Sequence, residues 1–109
     1  MKNTEIQFIN HASVLISNKA ICLLSDPWYK GEAFNNGWKL IYENSNEEIY
    51  SMLKNKVTHI WLSHEHPDHF SIPFFKEFKS IIIKNKIKIL FQATKDKRVM
   101  GYLNPSMPI

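Results

Sequence analysis

Ser63-His64-Glu65-His66-Pro67-Asp68-His69, delivered by the apolar run Ile60-Trp61-Leu62, places four side chains that commonly bind metal ions, His64, His66, Asp68 and His69, within six consecutive positions. Imidazole nitrogen and carboxylate oxygen are donors that zinc, manganese and ferrous iron accept. On an extended segment, side chains two apart share a side, so His64 and His66 are expected to point together toward one ion. Pro67 fixes its own φ and drives His66 toward extended backbone, which leaves little entropy to lose when Asp68 and His69 turn toward a second ion. A lone histidine in a polar turn more often satisfies a nearby carbonyl. Three of the five histidines gathered in one turn read instead as a metal site.

The residues before this turn read as a buried strand, Val57 to Ser63, rich in β-branched and aromatic side chains. A ligand turn at the C-terminal end of such a strand is where α/β folds usually carry their sites. Further upstream, the alternation and punctuation predict three strands, Ile6 to Asn10, Ser13 to Ser17 and Ala20 to Leu24, with Asn18-Lys19 as the turn between the last two. From Asp26 to Asn44 periodicity disappears while Pro27, Gly31 and Gly37 interrupt Trp28, Tyr29, Phe34 and Trp38, which predicts a long loop with aromatic anchors. Such a loop either lines a site or is pinned by its aromatics to the core.

Ser45 with Glu48 three residues on fits a capping box, so a helix is expected from there to about Lys56, with Ile49, Met52 and Leu53 on one face. Ser71 caps a second helix, Ile72 to Lys84, whose inward stripe is Phe74, Phe75, Phe78, Ile81 and Ile82, with Pro73 tolerated in the first turn. Lys88 to Gln92 reads as a further strand, and Thr94 as the cap of a last helix to about Leu103. No internal repeat or linker interrupts the chain.

At 109 residues and 44% apolar content, the chain suffices for one compact unit with a core. The single cysteine, Cys22, lies within Ala20-Ile21-Cys22-Leu23-Leu24 and reads as a small buried hydrophobe, so a reducing cytoplasm is expected. No apolar run is long enough to span a bilayer, and the first residues lack the hydrophobic region of an export signal, so no membrane association is expected. The net charge of +4 comes almost wholly from lysine, with eight of the fourteen basic residues between Lys76 and Arg98. Arginine forks and interleaved aromatics are missing from that stretch, which disfavours nucleic acid and suits a solvated face. The same field would attract an anionic small molecule, such as a sugar phosphate or nucleotide sugar.

The turn Ser63-His64-Glu65-His66-Pro67-Asp68-His69 resembles the H-x-H-x-D-H signature of the metallo-β-lactamase fold hydrolases. Phe8-Ile9-Asn10-His11-Ala12-Ser13-Val14-Leu15-Ile16 and Ser25-Asp26-Pro27-Trp28 look like opening strands of that superfamily. Asp26-Pro27-Trp28 through Phe34, Gly37 and Trp38 resembles the branch of CMP-N-acetylneuraminate hydroxylase-like and ascorbate-6-phosphate lactonase-like proteins. The resemblance implies an α/β fold, with residues 1–109 forming a single partial domain. This would be the N-terminal half of an αββα sandwich, one mixed sheet with helices on one face. It implies His64 and His66 on a first metal, Asp68 and His69 on a second, zinc above manganese or iron, and a metal-bound water attacking an ester, lactone or phosphodiester with Asp68 orienting it. His11 and Asp26 match family positions near the metals and are expected to hold ligands in place or touch substrate. Read from the residues alone, His11 is as well explained as a turn residue and Asp26 as an Asx turn before Pro27. His59, in the strand approach, is expected to be structural.

No histidine follows His69, so the family's later ligands are missing and the site is incomplete if dinuclear. A sheet covered on one side leaves an apolar face, which a truncated or split partner half, another chain or a dimer mate would cover. Two alternatives to the hydrolase stand. One is a component of a CMP-N-acetylneuraminate hydroxylase-like, nucleotide-sugar oxygenase; with one cysteine the chain cannot itself build a two-cysteine, two-histidine iron-sulfur centre. The other is a non-catalytic binding module.

Overall fold

Two rows of side chains decide how the chain packs. The computed structural model describes residues 4–33, 37–63, 66 and 68–91. Within these, β1 (Glu5–Asn10), β2 (Ser13–Asn18) and β3 (Ile21–Ser25) form an antiparallel meander, and β6 (His59–Leu62) and β7 (Lys88–Phe91) continue it in parallel, in the order β1-β2-β3-β6-β7. Register aligns Leu15, Leu24, Ile60 and Ile89 across four strands, and all four are buried. They join Ile49 and Leu53 of α1 (Asn46–Asn55) and the Phe74, Phe75, Phe78, Ile81, Ile82 stripe of α2 (Ile72–Lys84) in one core. Both helices therefore cover the same face of the mixed sheet, as expected for an α/β half-sandwich.

The other face carries the row Ile6, Ile16, Leu23, His59 and Lys88, and beside it Phe8, Trp61 and Leu90. Ile6 is 70% exposed and Phe8 67%. Alternation alone forces this result, because a strand that buries one set of side chains presents the other set to the opposite side.

Each helix begins where its cap is encoded. Ser45 Oγ accepts from Glu48 N–H at 3.1 Å, and Ser71 Oγ accepts from Phe74 N–H at 3.3 Å. At the far end of α2, Asn85 donates from Nδ2 to the carbonyls of Lys54 and Leu53, at 3.1 and 3.4 Å, joining the C-terminal ends of the two helices. Val57 belongs to the helix exit rather than to β6, since its N–H bonds the Met52 carbonyl.

Two further expectations change. The turn between β2 and β3 is Lys19-Ala20, because Asn18 pairs with Ile21 and so stays in the strand. The stretch from Asp26 to Asn44 is not wholly irregular: β4 (Glu32–Ala33) and β5 (Trp38–Lys39) pair into a small separate sheet. Two-residue strands are too short for alternation to register. The helix expected from Thr94 to Leu103 lies outside the described residues. No helix among those described is long and apolar enough to cross a membrane.

Candidate metal centre

Strand order brings three separate segments to one end of the sheet. β3 and β6 run parallel, so their C-terminal ends lie side by side, with Ser25 opposite Trp61. Because β2 runs antiparallel to β3, the β1–β2 turn, His11-Ala12, arrives at that same end. Ser25 locks it there: its Oγ donates to the Ala12 carbonyl at 3.0 Å and accepts from Val14 N–H at 2.9 Å. A register shift between Phe8 and Asn10 precedes the turn. Bulges of this kind re-aim the side chains that follow them.

His11 and Asp26, the first residues beyond β1 and β3, both have positive φ, 51° and 39°. Non-glycine residues in this region are uncommon and gather where the surroundings hold them in place. Asp26 is held on every side. Its N–H bonds the Trp61 carbonyl at 2.8 Å, and its carboxylate accepts from Ser63 N–H and Ser63 Oγ, each at 2.7 Å. The same Oδ2 faces His69 Nδ1 at 3.0 Å.

With the Nδ1 proton assigned to its carboxylate partner, His69 presents Nε2 toward Asp68. That nitrogen lies 3.3 Å from Asp68 Oδ2, which is also 3.0 Å from His11 Nε2. The donor atoms of His11, Asp68 and His69 all lie within 4.8 Å of one another. At these distances a ring N–H can donate to the carboxylate, or one metal ion can accept from the donors together. Metal–ligand bonds of about 2.0–2.2 Å at angles of ~90–110° set neighbouring donors about 3.0–3.5 Å apart, which is the spacing from Asp68 Oδ2 to the Nε2 of each histidine. The residues therefore fit a metal ion. Asp68 is buried, His69 half-buried and His11 open to solvent, so an ion among them would keep open coordination positions on the His11 side.

Of the residues singled out in the sequence, the structure gathers His11, Asp68 and His69 as possible donors, with Asp26 behind His69. His66 is exposed and outside that group, and its carbonyl accepts from the N–H groups of His69 and Phe70, at 2.9 and 2.7 Å, which closes the turn. His64 lies outside the described residues. His59 Nδ1 sits 2.8 Å from the Thr58 hydroxyl, away from the cluster. Ser63 was not assigned a role from sequence; a hydroxyl residue directly ahead of the histidine turn was the available signal. The aromatic loop does both things expected of it. Trp28 is buried with its ring edge-on to His11 at 5.0 Å, and Trp38, 6.4 Å from His11, stays half exposed.

The chain has distant, partial similarity to proteins named as cytidine monophosphate-N-acetylneuraminic acid hydroxylases. The chain is 32% identical over 73 residues to cytidine monophosphate-N-acetylneuraminic acid hydroxylase of Cricetulus griseus, covering 67% of this chain and 13% of that protein. The protein of the same name from Asterias rubens is 32% identical over 69 residues, covering 63% of this chain and 10% of that one. An inactive human counterpart is 30% identical over 73 residues, covering 67% and 14%. The similarity thus spans only a small part of each relative's length. No family model matches, and no solved structure matches. These relatives are named as hydroxylases, so the comparison supports the oxygenase alternative and gives the hydrolase expectation no support.

Proposed function

We propose that this chain is the metal-holding part of a protein resembling CMP-N-acetylneuraminate hydroxylase, acting on an anionic nucleotide sugar. The observation that carries the reading is the convergence of two imidazoles and one carboxylate, His11, His69 and Asp68, within 4.8 Å of one another at a site whose His11 side is exposed. Two histidines and a carboxylate form the donor set of non-haem ferrous oxygenases, and the hydroxylase names of the relatives agree with it. Zinc has no redox chemistry, so ferrous iron is the better occupant for a hydroxylation, although the donors accept zinc and manganese as well.

In this reading His11, Asp68 and His69 hold the ion, and Asp26 fixes the tautomer and direction of His69. Ser63 in turn fixes Asp26. Bound there, a ferrous ion would supply oxygen activation. Electrons for it would come from elsewhere, because one cysteine cannot furnish a two-cysteine, two-histidine iron-sulfur centre. The likeness of the histidine turn to the metallo-β-lactamase signature supports the same placement, with His64 and His66 as further candidate ligands and the exposed sheet face as the surface that further polypeptide or a second chain covers. The buried free thiol of Cys22 agrees with a reducing cytoplasm.

The test is calorimetry with Fe(II) under anaerobic conditions, and with Zn(II) and Mn(II), on the unsubstituted chain and on His11→Gly and Asp68→Asn. Glycine suits the positive φ at position 11, so His11→Gly removes a donor without straining the turn. One ion per chain, with affinity falling at least 10-fold in each variant, is expected. Unchanged affinity in both variants overturns the reading, and two ions per chain would favour the dinuclear hydrolase arrangement instead.

A further inference from the structure

The two ends of the sheet differ in charge. Asp26 and Asp68 belong to the metal end, and so does Glu48, held there through Asn44 and Asn10. Parallel pairing puts the first residues of β3, β6 and β7 at the opposite end. Six lysines gather on that end. Lys19 sits in the β2–β3 turn, Lys54 and Lys56 at the exit of α1, and Lys84, Lys86 and Lys88 where α2 passes into β7. Backbone bonds hold the three segments side by side: Thr58 N–H meets the Cys22 carbonyl at 2.9 Å, and Lys88 N–H meets the Thr58 carbonyl at 3.1 Å. Asn85, bonded to the Leu53 and Lys54 carbonyls, joins the two helix exits.

All six lysines are exposed, and among the described residues none has a carboxylate within 4 Å. Glu5, at the start of β1, is the one acidic residue described at this end; it shares a groove with Lys56 without closing an ion pair. Six lysines less Glu5, and less roughly one unit for the two helix C-terminal ends, leave about four positive charges. Two aliphatic side chains stand among them: Ile21, beside the Lys19 turn, is 54% exposed, and Ile83, directly before Lys84, 41%. Charge alone would suit any polyanion. Nucleic-acid recognition draws on arginine forks and stacked aromatic rings, and neither occurs in Lys19-Ala20-Ile21, Lys54-Asn55-Lys56 or Ile83-Lys84-Asn85-Lys86-Ile87-Lys88. Ammonium groups on flexible stems match the diffuse negative field of a lipid surface, and aliphatic side chains between them enter the headgroup boundary.

We infer that this lysine end is a docking surface for an anionic membrane, with the six ammonium groups at the lipid headgroups and Ile21 and Ile83 at the acyl boundary. The contact is peripheral: the chain lies on one leaflet, with the His11 end turned toward water. It needs no metal ion and is independent of the proposed metal centre.

Cosedimentation of the full chain with vesicles of equal parts phosphatidylserine and phosphatidylcholine, against vesicles of phosphatidylcholine alone, tests it. Binding to the first and not to the second, weakening as salt rises, is expected. A lysine near an anionic leaflet contributes about 5-fold in affinity, so Lys56→Gln/Lys88→Gln should weaken binding about 30-fold. Lys30→Gln/Lys39→Gln removes the same charge at the metal end and should change it far less. Ile21→Thr/Ile83→Gln should lower affinity and leave its salt dependence unchanged, because no charge is lost. All six positions are exposed, so none of these changes should disturb folding. Absence of binding, equal binding to both kinds of vesicle, or equal loss in the two lysine pairs overturns the inference. Undiminished affinity in the isoleucine variant also overturns it, as does tighter binding to a single-stranded oligonucleotide than to the anionic vesicles, which would assign the lysines to nucleic acid.

Discussion

His69 Nδ1 lies 3.0 Å from Asp26 Oδ2, although 43 residues separate the two along the chain. The carboxylate is itself oriented by the Ser63 N–H and hydroxyl, so one rigid chain of contacts runs from the end of β3 to the imidazole that faces Asp68. A partner that fixes a ligand histidine in this way sets which ring nitrogen is free to bind.

Replacing the carboxylate by an amide should therefore loosen the centre without emptying it. Asp26→Asn is expected to lower metal affinity about 10- to 100-fold, the usual effect of losing such a partner. Zinc titration by calorimetry measures it. Affinity equal to that of the unsubstituted chain would mean that Asp26 orients nothing.

Ser13 and Tyr29 form a second buried pair, Oγ to Oη at 2.6 Å, under the β1–β2 hairpin. Ser13 is fully buried, so its hydroxyl has no water to turn to if the phenol is removed. Tyr29→Phe should cost about 1–3 kcal/mol, the penalty for an unsatisfied buried polar group. Urea denaturation should register it as a lower midpoint at unchanged slope. A midpoint within error of the parent would show that the pair contributes nothing net.

Burial raises the Cys22 thiol above its ordinary 9.0, with Lys56 opposing the shift, and raises the Tyr29 phenol more strongly from 10.0. Above pH 9 the unfolded chain then holds fewer protons than the folded one, and stability falls as pH rises. Below that range both groups are protonated in either state and contribute no slope. Denaturation at pH 8, 9 and 10 should show this alkaline decline, and Cys22→Ala should flatten its first part. An unchanged slope in that variant would assign the decline to other groups.

Much of the fold was legible along the chain because it is short-range. The Ser71 cap and the Phe74, Phe75, Phe78 spacing each involve residues within one or two turns, and α2 spans the expected Ile72 to Lys84. The small β4–β5 sheet was not legible, since two residues cannot display an alternation. The role of Ser63 was hidden for another reason: its partner Asp26 is 37 residues away, across a parallel strand pairing that no local pattern announces.

The sequence by itself determined the capped helices, the alternation that leaves one sheet face apolar, and the crowding of donors between His64 and His69. Only the tertiary structure decided that His11, 57 residues before Asp68, comes within 3.0 Å of it. Helix caps and side-chain alternation follow from contacts a few residues apart, whereas the meeting of His11 with Asp68 depends on β2, β3 and β6 lying side by side. That order is set by the burial of Leu15, Leu24 and Ile60 in one shared core.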